Sequence, residues 1–294
     1  MEERIKLLEE TIDSLQNELA ESFWKTIQVL SQIVLSQENY YEGSHSRYVS
    51  QKSAEVARLL GMSEHDVFEI SIAGLLHDIG KVGFKDTLLA KFTSEMKESE
   101  YKQYQLHPEL GRQILSMHDG FDSICEMVAQ HHEKIDGSGF PLHLMGKEIN
   151  PGAAIIAVVD SFHTLYYKRK KERSTVNNTA VNVASTATLM DNTKSRFAMA
   201  MNYLHQKAGR IFDTRVVEVF TDIIDKERQA QGEKMILRLP LGKIEPGMII
   251  AEDYFSSYGM LIAASGELIT EEMKRSLIRL AESGELPLKL LVLK

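Results

Sequence analysis

Cysteine is almost missing from this sequence: Cys125 is the only one in 294 residues. That excludes an internal disulfide and any zinc site built from several thiolates. Excess positive charge is missing too, since 34 Lys and Arg stand against 42 Asp and Glu, for a formal net charge of -8. A dedicated binder of nucleic-acid polymer would carry a basic footprint, so that class is set aside. Long apolar runs are also lacking. The best candidate, Ala153-Ala154-Ile155-Ile156-Ala157-Val158-Val159, is far too short for a membrane span. The opening Met1-Glu2-Glu3-Arg4 is acidic and has no apolar signal segment, so a cytoplasmic protein is expected. The remaining composition is ordinary, and the length allows a full catalytic core with one or two small additions.

What the chain does have is histidine, concentrated in one region. Nine of its ten histidines lie between His45 and His163, with His205 the outlier. The most pointed placement is Leu75-Leu76-His77-Asp78-Ile79-Gly80-Lys81, where a His-Asp pair interrupts an apolar run that reads as the end of a buried helix. A nitrogen and a carboxylate side by side in a dry environment are costly unless something positive sits between them. Alone, such a pair is more often a hydrogen-bonded core feature. Its company changes the reading.

Three segments are expected. Residues 1–21 carry Ile5, Leu8, Ile12, Leu15 and Leu19 at alternating spacings of three and four, the a/d seam of a heptad. This reads either as a short dimeric coiled coil, leading in from a sensory module, or as one amphipathic helix lying on its own domain. Trp24, Ile27, Leu30, Ile33 and Val34 then carry an apolar stripe toward the core, in a helix running to about Glu38. Residues 22–232 read as a helical core. Residues 233–294 change texture: short β-like runs at 235–239, 248–251, 260–264 and 288–293 surround one helix at about 270–283, a small α+β module.

Within the core, Ser44 is placed to cap a helix on which His45 shares a face with Val49, Ser53 and Val56. Gly80 reads as the stop of the His77-Asp78 helix, and His107 as a cap with Pro108 in the first turn. His131 and His132 continue the apolar face of Phe121, Ile124, Cys125 and Val128, which makes Cys125 a core filler rather than a nucleophile. Asp160 interrupts an apolar helix, and His163 lies nearly one turn beyond it. The glycine-rich loop Asp136-Gly137-Ser138-Gly139-Phe140-Pro141 presents an aromatic expected to be exposed. The basic run from Lys168 to Arg173 reads as a solvated flank or, more sharply, as an electrostatic lip for a phosphate-bearing ligand.

His45, His77, Asp78, His107, His131, His132 and Asp160 are therefore inward polar residues from several helices. Singly, His45 and His107 would pass as satisfied core residues, but seven such groups are hard to bury without cations. Nitrogen and oxygen donors without sulfur suit Fe, Mn, Zn or Ni. The set is too large for one catalytic ion with an open position, so two ions with an Asp bridge are expected, the arrangement of two-metal phosphoester hydrolysis.

The ordered motifs Gly43-Ser44-His45, His77-Asp78-Ile79-Gly80-Lys81, His107-Pro108 and His131-His132-Glu133 with Asp136 to Pro141 resemble the HD-GYP family of cyclic dinucleotide phosphodiesterases over residues 22–229. The run Leu241 to Met248 is similar to a small domain that accompanies such proteins. The resemblance implies a mainly α HD-domain helical bundle holding a non-haem di-iron or di-manganese centre. Its ligands would be His45, His77, His107, His131, His132, Asp160 and a bridging Asp78. It implies hydrolysis of cyclic di-GMP, or a related cyclic dinucleotide, to the linear product and in many members onward to GMP, by a hydroxide bridging the metals. Lys81 stands where the family directs a lysine at the scissile phosphate, with Gly137, Gly139, Phe140, Lys168 and Arg169 as further substrate contacts. Such a chain would work with an upstream sensory or receiver module or a diguanylate cyclase.

Four departures accompany the resemblance. Phe140 replaces the tyrosine of the loop. Tyr41 stands where three-metal members have a glutamate, which favours two ions. His163 replaces an aspartate and is either an extra ligand or an altered neighbour of one. An expected Arg-Pro-Tyr-like run is missing. The altered His163 and the segment after its helix also allow a binding module that holds metals and nucleotide without turnover, and a third reading is a general HD phosphohydrolase acting on another nucleotide.

Overall fold

Helix α1 (Glu2–Leu35) is a single rod, about 50 Å long at the usual rise. The computed structural model describes residues 2–38, 41, 44–168, 186–231, 236–251, 254–255, 261–264, 266–284, 286–287 and 289–293. Ile5, Ile12, Leu15 and Leu19 are each at least 50% exposed, so the seam does not lie on its own domain, and that alternative is removed. Contact with the core begins at Phe23, whose ring packs edge-on against Phe121 at 5.6 Å and stacks on Phe68 at 6.1 Å. Ile27, Ser31 and Val34 continue this buried line at helical spacing, but Trp24 and Ile33, expected to face inward, are 49% and 39% exposed. Each lies to one side of that line, and the helix cannot bury both flanks against one surface.

The helical core follows. It comprises α2 (His45–Leu59), α3 (Glu64–Leu76), α4 (Asp86–Leu89), α5 (Glu98–Tyr104), α6 (His107–Leu115), α7 (Asp122–Gln130), α8 (Pro151–Tyr167), α9 (Thr186–Lys207) and α10 (Thr214–Gln231). Ser63 caps α3 by accepting from the Asp66 amide at 3.1 Å, as its sequence context predicts. Ser44 occupies the cap position of α2 without using its side chain, whose Oγ is buried with no hydrogen-bond partner. Helix α8 is central. Its Ala153, Ile155, Ile156, Val158, Val159 and Phe162 are all buried, and a helix apolar on every side must be surrounded by others. Its Asn150 cap accepts from the Gly152 amide at 2.9 Å. Cys125 is buried, and burial pushes its thiol up, in keeping with a core filler.

The C-terminal residues build a separate apolar cluster around Ile244, Ile250, Leu277, Leu290 and Val292. Strands β1 (Ile236–Pro240), β2 (Ile249–Ile250) and β5 (Lys289–Leu293) form an antiparallel sheet in the order β1-β5-β2, with β3 (Tyr254–Phe255) and β4 (Leu261–Ala263) paired beside it. Helix α11 (Glu271–Glu282) is capped by Thr270, which accepts from the Met273 amide at 3.1 Å. The fold is therefore mainly α with a small C-terminal α+β module. Strand β3 escaped the sequence because two residues carry no readable alternation.

Candidate metal centre

Helix ends supply most of the polar side chains at the centre of the bundle. His45 opens α2, His107 opens α6, and His77 and His131 follow the last turns of α3 and α7. Asp78 and His132 come next in sequence to two of these, and Asp160 projects from the middle of α8. His45, His77, His107 and His131 are wholly buried, and Asp78 and Asp160 are less than 9% exposed.

Three of the rings are locked in the same way. Nδ1 of His77 lies 2.8 Å from the Gly74 carbonyl, that of His107 2.7 Å from the Tyr104 carbonyl, and that of His131 2.6 Å from the Val128 carbonyl. These are carbonyls at helix ends, which lack partners within the helix. A carbonyl only accepts, so each Nδ1 carries the proton and each neutral ring presents a bare lone pair at Nε2. Burial lowers His77 and holds His107, His131 and His132 well below the usual imidazole range, which keeps them neutral.

Those lone pairs converge. Nε2 of His45 lies 3.1 Å from Nε2 of His77, and Nε2 of His107 lies 3.2 Å from Nε2 of His131. Asp78 sits between the two pairs, its Oδ1 3.5 Å from Nε2 of both His77 and His107 and 3.9 Å from that of His131. Asp160 Oδ1 lies 3.3 Å from His45 Nε2. Burial opposes charge on Asp78, yet the Lys81 ammonium beside it holds its carboxyl well below the usual range.

The donor set fits a bound cation. Asp78 Oδ1 is buried without a hydrogen-bond partner, and it faces imidazole nitrogens that have no proton to give. Acceptor against acceptor in a dry site is costly, and a divalent ion removes the conflict. His45, His77 and Asp78 bring one ligand atom each within 4.8 Å of one another, and His107, His131 and His132 do the same.

The glycine motifs have structural work here. A Cβ on Gly80 would lie 1.9 Å from the His107 carbonyl oxygen and 2.5 Å from the Gly111 amide nitrogen. Gly80 is therefore needed for backbone contact between the turn after Asp78 and α6 rather than as the helix stop expected, since α3 already ends at Leu76. Gly139 approaches the Lys134 amide as closely, at 2.4 Å for a would-be Cβ, and Gly137 has a φ of +76°. Phe140, expected to be exposed, is buried, with its ring 4.8 Å from His132 and edge-on to Tyr104 at 6.3 Å. Its apolar ring finds a better place under the imidazole than in water.

Lys81 is buried with its Nζ 2.6 Å from Asp78 Oδ2 and 5.1 Å above the Tyr104 ring. Lys168 is buried rather than solvated. It donates to the Lys91 carbonyl at 2.7 Å, and burial lowers its ammonium to about 8. Arg169 and the rest of the basic run lie outside the described residues. His163 belongs to neither group of ligand atoms. It stands behind His45, Nδ1 to Nδ1 at 3.0 Å, and stacks on Tyr167.

Several contributors were not foreseen. Tyr41 stacks flat on His45 at 4.1 Å, and its hydroxyl meets Thr164, which in turn donates to Asp160 at 3.1 Å. Glu133 accepts from the amides of Leu142 at 2.6 Å and of His143 and Leu144 at 3.1 Å each, clamping the glycine loop. Glu38 accepts from the amide of Ser46 at 2.8 Å and from its hydroxyl, fixing the residue next to His45. The position of Glu133 directly after the histidine pair was the only available hint, and it names no partner.

A family model described as HD domain matches residues 28–184. The chain belongs to the HD domain family. The matched span of this HD-domain protein contains all seven inward polar residues. Among curated relatives, the HD-domain chain is 29% identical over 253 residues to the cyclic di-GMP phosphodiesterase response regulator RpfG of Xanthomonas campestris pv. campestris, covering 84% of this chain and 59% of that one. It is 32% identical over 158 residues to the 3'3'-cGAMP-specific phosphodiesterase 1 of Vibrio cholerae, covering 54% and 36%. It is 33% identical over 172 residues to a cyclic di-GMP phosphodiesterase of Thermotoga maritima, covering 58% and 46%. The HD-domain chain thus spans less than two thirds of the length of each. No helix among its described residues is long and apolar enough to cross a membrane.

Proposed function

We propose that the chain is a cytoplasmic phosphodiesterase that hydrolyses cyclic di-GMP or a related cyclic dinucleotide to the linear dinucleotide, and onward to GMP. The observation that carries this is the meeting of bare imidazole lone pairs around the orphaned Asp78 Oδ1. The relatives named above supply the substrate class.

In this reading His107, His131 and His132 would hold one divalent ion, His45, His77 and Asp160 would hold a second, and Asp78 would serve both. Imidazole and carboxylate donors suit Fe or Mn. Such ions, when bound, lower the pKa of a water and offset charge developing on phosphate oxygens. Lys81 brings a buried ammonium beside Asp78, where a phosphate oxygen can pair with it. Lys168 adds a second buried positive charge, with Arg169 as its neighbour in sequence. Gly137, Gly139 and Phe140 shape the wall against His132. The exposed seam of α1 supports a homodimer, and a sensory or receiver module or a diguanylate cyclase would supply the signal.

The test is turnover of cyclic di-GMP and 3'3'-cGAMP by anaerobically purified protein loaded with Fe or Mn. Linear dinucleotide or GMP is expected, and His77→Ala should give none. Nucleotide that binds in calorimetry without product would show a binding module instead, and turnover confined to mononucleotides would show a general phosphohydrolase.

Two further results are expected. A ring that offers Nε2 as ligand carries its proton on Nδ1, so His45 donates to His163. His163→Ala removes this support and should weaken metal affinity about 10–100-fold, read by chelator competition, while His163→Asp restores most of it. Lys168 makes the second expectation. Its ammonium, lowered to about 8, is lost as pH rises through that value, so kcat/KM should fall above pH about 8 and the fall should vanish in Lys168→Met. Stability moves the other way. Between about 8 and the ordinary value of 10.5 the unfolded chain binds the extra proton, and the folded state gains as pH rises.

A further inference from the structure

Helix α1 carries a longer unpartnered stripe than its sequence suggested. Among the described side chains of the helix, seven large apolar ones are exposed: Ile5, Ile12, Leu15, Leu19, Trp24, Val29 and Ile33. All but Trp24 fall into one heptad register, with Ile5, Ile12, Leu19 and Ile33 at a and Leu15 and Val29 at d. The stripe therefore continues past the N-terminal extension and along the flank of the helical core. It lies about a third of a turn around the helix from the face that Phe23, Ile27 and Val34 bury.

The period decides what covers it. A strict seven-residue repeat drifts by about 20° per heptad on a straight helix, so a helix resting on a fixed surface has no reason to keep it across this length. A partner that supercoils with it does. We infer that the occupant is a second copy of this chain, paired parallel and in register from Ile5 to Ile33. Isoleucine at a with leucine at d is the pattern of two-stranded parallel coils. The charges agree. In the parallel pair, sequence places Arg4 at g beside Glu9 at the e position of the partner helix. The polar interruption at Ser22 and Thr26 is tolerated, since the Thr26 hydroxyl already donates to the Ser22 carbonyl at 3.0 Å.

The two catalytic cores then lie against the coil itself instead of hanging from a free stalk. The last seam residue, Ile33, stands five positions before Glu38, whose carboxylate holds Ser46 beside His45. Pairing thus reaches the base of the candidate metal centre.

Cysteine cross-linking of the full chain in a Cys125→Ser background tests this without any assay of turnover, so its failure is distinct from failure of the phosphodiesterase reading. Leu15→Cys and Val29→Cys, both at d, should each give nearly complete disulfide-linked dimer on mild oxidation, and Gln28→Cys, at c, should give almost none. Light scattering should show twice the chain mass, lost in Val29→Glu/Ile33→Glu with helix content by circular dichroism unchanged. A monomer at micromolar concentration overturns the inference. So does cross-linking at Leu15→Cys without Val29→Cys, which would end the coil before the core, or a dimer that cross-links at neither.

Discussion

Asp78→Asn should lose turnover by on the order of a thousandfold or more, comparable to removal of a central electrostatic group from an active site, and should lose bound metal with it. The carboxylate reaches both sets of imidazoles, through Oδ1 toward His77, His107 and His131 and through Oδ2 toward His45 at 3.8 Å. An amide of the same shape keeps the contacts but offers no charge, and its NH2 end competes for the lone pairs that would bind the ion. It also removes the negative charge that the buried Lys81 ammonium meets at 2.6 Å. Paired measurement of metal content and turnover separates this from simple misfolding: helix content by circular dichroism should be close to wild type, because the packing of α3 on α7 and α8 does not involve the carboxylate.

Lys81→Met should show a different signature. The methionine keeps the apolar stem of the lysine against Tyr104 and removes the ammonium 2.6 Å from Asp78 Oδ2. Metal content should stay near that of wild type, because no Nζ lone pair takes part in the donor set. Turnover should fall by about 10²–10³, the usual cost of deleting one charge-stabilising donor from a dry site. If the loss sits in kcat, Lys81 acts on charge that develops during reaction. If it sits in KM alone, Lys81 only holds the ground-state phosphate.

Five of the seven candidate ligands were legible because each breaks a strong local rule, whereas His45 and His107 were picked out only by the company they keep. His77-Asp78 ends an apolar run, Asp160 interrupts a helix that is otherwise buried on every side, and His131-His132 extends an apolar face. Such violations are visible in one dimension. What they face is not. The tautomer locks on the Gly74, Tyr104 and Val128 carbonyls depend on where helices stop in space. Glu133 clamps a loop whose return path the sequence does not specify. Phe140 was misjudged because a glycine-rich loop suggests exposure, whereas this loop folds back onto His132. Trp24 and Ile33 were assigned inward because a helical stripe shows only that a face is apolar, not which neighbour covers it. The C-terminal module was easier to read, as turns and alternation there are local properties.

Metal analysis of the full chain, purified anaerobically and passed through a desalting column, bears most directly on the central claim that side chains from distant helices converge on cations. The account predicts about two first-row divalent ions per chain, reduced to near none in His77→Ala and Asp78→Asn with the fold intact. A folded wild-type chain that takes up no ion from Fe or Mn solutions would contradict it.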